Sequence, residues 1–455
     1  MDLSRRAFGG LALSGIALPG AALSQDLAIL DAMRAPLSAP TTEFEAAMAM
    51  MIERGNPDMA ASLISSMRFS RSRGPQIAET LTALTGEDHF TDWFAWMLWQ
   101  EQNPQIKPHR DFPTFKRELL LQVDDNFADF LRPEYIEPDR MRIRLEEITW
   151  GGVVKDGIPS LDNPALIAAK DADYMRGDDL VFGVSINGDV RAYPLRIMGW
   201  HEMFNEVIGG VPVALAYCTL CGSGILFETD VSGRAAPLVF GSSGFLYRSN
   251  KLMFDRETHS LWNQYTGQPV VGPLVDSGIA LKQRPVVITT WDNWKTSNPG
   301  TQVLSLETGH RRNYGSGVVY NDYFASPDLM FPAQVDQRTH QQKDYIFTVR
   351  QFGAARAWPL KSFDGMPVIN DGIADTALLL VGDPKTRSVR AYERGAHSFA
   401  PSGGRLKDES GAEWRVTEDA LLGPDGVSLP RVAGHISYWF AWDNYLGDAA
   451  TVYGG

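Results

Sequence analysis

From Thr41 to about Arg132 apolar residues recur at helical spacing, as in "EFEAAMAMMIERG", "QIAETLTAL", "FTDWFAWMLWQ" and "TFKRELLLQVDDNFADFL". Interruptions at Asn56-Pro57, Gly74-Pro75 and Asn103-Pro104 cut this stretch into short helices. The pattern predicts a small all-helical N-terminal domain over 25–147. Met48, Met50, Met51, Trp93, Trp96 and Trp99 are expected in its core, because soft and aromatic side chains at this spacing pack more readily than they bind.

Near Ile148 the texture changes to short β-prone runs punctuated by glycine and asparagine. "LVFGVSINGDVRAYPL" reads as strand, Asn187-Gly188 turn, strand. The expected class is α+β: the helical domain, then a predominantly β module with few helices.

That module echoes itself. "VFGVSINGDVRAYPL" from 181 aligns without gaps on "IFTVRQFGAARAWPL" from 346, a register of 165 that persists to Asn205 and Asn370. After a shift, "TTWDNW" (Trp291, Asp292, Asn293) matches "FAWDNY" (Trp442, Asp443, Asn444). A repeat is therefore expected, with one copy over 148–310 and another over 311–455. Residues common to both copies, such as Arg191, Asn205 and the Trp-Asp-Asn triplet, point to folding. Polar residues present in one copy point to chemistry, and His201, Glu202, Cys218 and Cys221 belong to the first copy alone.

Within "LRIMGWHEMFNEVIGG" the residues Ile197, His201, Phe204 and Ile208 fall at helical spacing, with Gly209-Gly210 as a stop. This predicts a helix with His201 on its inward face. The strand "VPVALAY" follows and delivers Cys218, so that His201 can approach Cys218 and Cys221, the only two cysteines among 455 residues.

Composition narrows the partners. A formal net charge of −13, with no basic cluster outside the N-terminus, disfavours nucleic acid and anionic lipid. Beyond the N-terminus no apolar run reaches the roughly 18 residues of a membrane span. The opening "MDLSRRAFGGLALSGIALPGAALSQ" has a basic start, a mildly apolar stretch and small residues before an expected cleavage after Ser24. Arg5 and Arg6 resemble a twin-arginine export signal over 1–24, which makes the expected location periplasmic. Proteins exported that way cross the membrane folded, so a metal inserted before export is compatible with the route.

One imidazole and two thiolates suit copper, iron or zinc, with a fourth position left for another group. Met253 and His259 are candidates for that place, and Glu202 and Asp255 are candidate acid/base groups. The competing reading of Asp255 and Thr258 is a turn closed on its own backbone. Haem c attachment requires histidine after the second cysteine, where Gly222 stands, and a four-cysteine cluster lacks two thiols. A thioredoxin-type dithiol opens a long helix, whereas "GSGILFETD" reads as loop and strand. A structural disulfide across four residues stays open as an alternative, although so short a loop constrains the unfolded chain little.

At these residues the chain resembles the family catalogued as domain of unknown function 3179, over most of 148–455. The likeness is carried by "GGVVKDGIPSLDNP", "VRAYPLRIMGWHEMFNEVIGG", "YCTLCGSGILFE" and "MFDRETHSLWNQYTG". It picks out His201, Glu202, Asn205, Cys218, Cys221, Asp255, Arg256, Thr258 and Trp262. Thr219 stands where members often carry proline. The resemblance implies an exported bacterial protein and no particular substrate. The reading from sequence is an exported metal-dependent oxidoreductase, with one metal on Cys218, Cys221 and His201 and an unidentified small molecule or redox partner. The alternative is a non-catalytic periplasmic binding or assembly protein with a structural disulfide or static zinc.

Overall fold

The computed structural model describes residues 21–446 and 450–454. The expected export signal lies almost wholly outside them. The described chain forms a helical unit ending at Thr149 and a β-rich unit beginning at Trp150.

In the helical unit the principal helices are Ala21–Ser38, Thr41–Arg54, Ala60–Met67, Gly74–Thr85, Trp93–Gln102 and Phe112–Leu121. The Asp92 carboxylate accepts from the Ala95 N–H at 3.1 Å and caps the fifth, as a short acceptor does at a helix start. Gly74-Pro75 opens a helix instead of breaking one, since proline is tolerated in the first turn. Met51, Met59, Leu63, Ile64, Leu81 and Trp96 are fully enclosed. Met48 and Trp99 are buried as well, while Met50 and Trp93 are half-buried.

In the β-rich unit the strands Leu180–Ile186 and Asp189–Pro194 pair around Asn187-Gly188, and Tyr345–Gln351 and Ala354–Pro359 pair around Phe352-Gly353. The meander Met203–Ile208, Val211–Cys218 and Ser223–Glu228 has its counterpart in Val368–Ile373, Thr376–Asp383 and Ser388–Glu393. Each of these strands begins and ends 165 residues before its counterpart. Polar ties recur from side chains at the same offset. Arg191 pairs with Glu206, and Arg356 pairs with Asp371 at 2.8 Å. The Asn205 side chain holds the backbone of Phe240 (2.8 and 2.9 Å), and Asn370 holds that of Phe399 (2.8 Å both ways). The two halves share one core, in which Phe182, Tyr193, Phe204 and Leu215 meet Phe347, Trp358, Leu378 and Ile436.

Two local expectations are corrected. The helix at His201 covers only Leu195–His201; Glu202 turns left-handed (φ 54°) and Met203–Ile208 is a strand. "MFNEVI" carries alternation as well as helical spacing, and pairing with Val211–Cys218 decides between them. The Trp-Asp-Asn echo is also displaced. Helices Trp291–Ser297 and Trp439–Leu446 follow the corresponding strands Val287–Thr290 and His435–Tyr438, so Trp294 matches Trp442. Both are buried. The slip is three residues, which returns a side chain to nearly the same helix face.

Candidate functional site

Strand pairing brings Cys218 opposite Ser223, so residues 219–222 form the turn of a hairpin. Across it Cys218 and Cys221 are joined as a disulfide, with Cα atoms 5.3 Å apart. Gly222 takes φ +60°, and a Cβ there would come within 3.2 Å of the Tyr438 ring and 3.4 Å of Tyr345. Both tyrosines belong to the second half, and the Tyr438 N–H also donates to the Cys221 carbonyl at 2.8 Å.

The corresponding turn in the second half runs from Asp383 to Ser388. There the Thr386 hydroxyl donates to the Asp383 carboxylate at 2.9 Å, and Arg387 takes the left-handed place of Gly222. An ordinary hydrogen bond thus stands where the first half has a covalent one.

Around the cystine lies a buried polar group that includes a residue absent from the sequence reading. The Lys251 ammonium meets Glu202 Oε2 at 3.1 Å, with both side chains enclosed. Glu202 Oε1 accepts from the Thr219 hydroxyl at 2.7 Å and from Tyr320 at 3.4 Å. Burial, and then the Glu202 charge, push the Tyr320 hydroxyl's pKa up, so it remains a donor. The left-handed backbone at Glu202 ends its helix and lets its carbonyl accept from the Tyr217 N–H at 2.8 Å. That conformation is costly for a non-glycine residue and is held by these contacts on both sides.

Glu202, Cys218, Thr219, Lys251 and Tyr320 line one cavity of about 40 Å³, together with Ser242 and apolar side chains. Cys221 is not in its wall. Its sulfur lies 3.2 Å from the Asn250 Oδ1 and 3.6 Å from the Ser249 carbonyl, at a hairpin turn in which Arg248 and Ser249 are left-handed. The Asn250 Nδ2 is buried without a partner among the described residues. A bonded sulfur has no proton to donate; turning the Asn250 amide over presents an N–H donor to it.

His201 lies elsewhere in the network. Its Nδ1 donates to the Pro159 carbonyl at 2.8 Å, which leaves Nε2 to accept from the Tyr314 hydroxyl at 2.6 Å. Burial pulls its pKa down to about 4; the Pro159 carbonyl opposes this, and His310 and Arg312 add to it. Residues 313–323 strap this helix to the site. Asn313 accepts from the Trp200 indole at 2.9 Å, and Tyr323 donates to the Leu220 carbonyl at 2.6 Å. Val319 sits where any side chain on Gly199 would be, with its Cγ1 only 2.5 Å from an added Cβ.

Asp255 closes its own turn. It accepts from the Thr258 N–H (2.6 Å), the Thr258 hydroxyl (2.7 Å) and the Trp262 indole (2.9 Å). The tie recurs where Asp408 accepts from the Trp414 indole at 2.9 Å. Arg256 forks onto Asp156 at 2.9 and 3.0 Å. Met253 is fully buried in its strand, and the His259 ring stacks on Phe254. The candidates are thus brought together as one cystine beside Glu202. His201, Met253 and His259 are not gathered with it, and no three His, Cys, Asp or Glu side chains among the described residues form a group that could hold a metal ion. As arranged, the two sulfurs are bonded to each other and both imidazole nitrogens of His201 have protein partners.

Lys251, Asn250 and Tyr320 were missed. A lysine inside the apolar strand "NKLMFD" was the available sign, because an amine is rarely enclosed without a counter-charge.

Fold and site together define a β-rich repeat protein with a cystine in the turn of one half and a buried ion pair beside it. The chain belongs to the family described as a protein of unknown function (DUF3179), whose model matches residues 155–449. No curated protein and no solved structure matches it. Among the described residues no helix is long and apolar enough to cross a membrane.

Proposed function

We propose that the chain is an exported, periplasmic oxidoreductase whose working group is the Cys218–Cys221 cystine, reached by a small molecule through the cavity beside Glu202 and Lys251. The observation that carries this reading is the asymmetry of the pair. Cys218 shares the cavity wall with a buried ion pair, while Cys221 lies outside it against Ser249 and Asn250. A nucleophile in the cavity attacks the Cys218 sulfur. The sulfur–sulfur electron pair then leaves on Cys221, where the Asn250 amide can donate to the thiolate.

A static staple is the competing account. It gains little support from the surroundings, because a turn of this geometry closes in the second half by hydrogen bonds on Asp383 and Thr386, without sulfur. The metal expected from sequence requires the cystine to be reduced and His201 to leave Tyr314.

The test is thiol titration of the folded, exported protein across a series of dithiol buffers, with metal analysis of the same sample. The reading expects two thiols to appear reversibly while the fold persists. A cystine that opens only on unfolding would establish the staple. Two free thiols with stoichiometric metal would establish the metal centre.

A further inference from the structure

We infer that the molecule this cystine reacts with is a small sulfur-centred anion, of the hydrosulfide or sulfite class. The inference rests on the cystine reading above and concerns the same cavity. Size gives the first constraint. About 40 Å³ holds roughly three water-sized groups, enough for one small anion, whereas a tripeptide or protein thiol enters only by its sulfur-bearing end and leaves its backbone outside.

Hydrogen-bond donors give the second. The Lys251 ammonium has three donors, and Glu202 takes one of them at 3.1 Å. The Tyr320 hydroxyl and Ser242 lie on the same wall. Glu202 balances the Lys251 charge, so an anion entering here is held by donors and not by net charge: the remaining ammonium N–H groups and the hydroxyls on the same wall.

Reactivity gives the third. The electrophile in the cavity wall is a disulfide sulfur, and at neutral pH disulfides yield to sulfur nucleophiles and not to carboxylate, chloride or phosphate. A small anion that is also a sulfur nucleophile satisfies all three constraints.

The step balances without another reagent. A lone pair on the incoming sulfur forms a bond to Cys218 Sγ, the Cys218–Cys221 bond breaks, and its electron pair leaves as the Cys221 thiolate. Sulfite yields an S-sulfonate on Cys218, and hydrosulfide yields a persulfide there. The cystine is reduced and the incoming sulfur is oxidised.

The experiment exposes the full-length folded protein to sulfite, to sulfide, to glutathione and to a dithiol in separate arms. Each is quenched with acid and denaturant, alkylated and mapped by mass spectrometry. The expected result is an adduct on Cys218 with Cys221 alkylated, and a rate that saturates with sulfite or sulfide. Glutathione should react at least tenfold more slowly. Relative rates in the sulfite and sulfide arms assign the source. Lys251→Met should slow the anion arms by tenfold or more, and a Glu202→Gln, Lys251→Met protein serves as the folded control if the single variant does not fold. An adduct divided between the two cysteines, glutathione as fast as sulfite, or no adduct while the dithiol opens the cystine would overturn the inference and leave the cystine reading intact. A cystine that resists the dithiol in the folded protein would overturn the reading beneath it.

Discussion

The Thr386 hydroxyl donates to the Asp383 carboxylate at 2.9 Å across a hairpin turn, and 165 residues earlier the same turn is closed by the bond between Cys221 and Cys218. One backbone geometry is closed in two ways within one chain. The covalent closure borders a cavity through Cys218.

Because that geometry stands without sulfur, replacing both cysteines by serine should leave a folded protein. Loss of a ring this short costs about 2 kcal/mol by chain entropy. Urea unfolding of the Cys218→Ser, Cys221→Ser protein checks this, with Thr386→Val expected to lose about 1 kcal/mol. A double-serine protein that does not fold at all would give the cystine an essential structural role.

Lys251→Met should destabilise by about 3–5 kcal/mol, since it leaves the Glu202 carboxylate enclosed without its cation. Adding Glu202→Gln should recover part of that loss. A double-mutant cycle by urea unfolding measures the coupling, and simple additivity would mean that the two residues do not support each other.

Asn250→Leu should slow opening of the cystine by small reductants by roughly tenfold, the worth of one donor to a leaving thiolate. The fold should survive, as the change removes an amide nitrogen that has no partner. Stopped-flow reduction of the folded variant is the measurement, and an unchanged rate would exclude Asn250 from the chemistry.

His201 makes stability fall in mild acid. Its pKa is about 4 when folded and about 6.5 when unfolded, so between those values the unfolded chain binds the extra proton. Its contribution is complete above about pH 6.5 and is lost as pH falls toward 4. Burial lowers His340 and His435 in the same direction. The stability–pH slope of His201→Gln should therefore be shallower by up to one proton in this window, as followed by urea unfolding at stepped pH.

Glu418 anchors the distal strands of the second half. Burial raises its pKa, yet Arg390 and Arg431 overcome this and hold it to about 2. Arg390 approaches at 2.6 Å, and Arg431 forms a second pair. Glu418→Gln should cost about 3–5 kcal/mol by leaving two guanidinium groups without their shared anion. Thermal unfolding would show this as a large fall in Tm, and a shift within error would contradict it.

Much of the architecture was legible because it is written in periodicity. Helical spacing marked the N-terminal unit, and the 165-residue register located strands in both halves together with the Asn205 and Asn370 ties. The pattern misled where two periods coexist. "MFNEVI" carries both spacings, and the tryptophans of the Trp-Asp-Asn echo were aligned one helical turn away from their structural partners.

The sequence by itself determined that a helical unit precedes a β-rich repeat, and that Cys218, Cys221, His201 and Glu202 are peculiar to the first half. Only the tertiary structure decided what these residues touch. Local spacing sets which face a side chain takes, but contacts between distant segments depend on how strands and connections pack. Hence Lys251, 49 residues beyond Glu202, became its counter-ion, and the Tyr314 hydroxyl came to donate to the His201 Nε2.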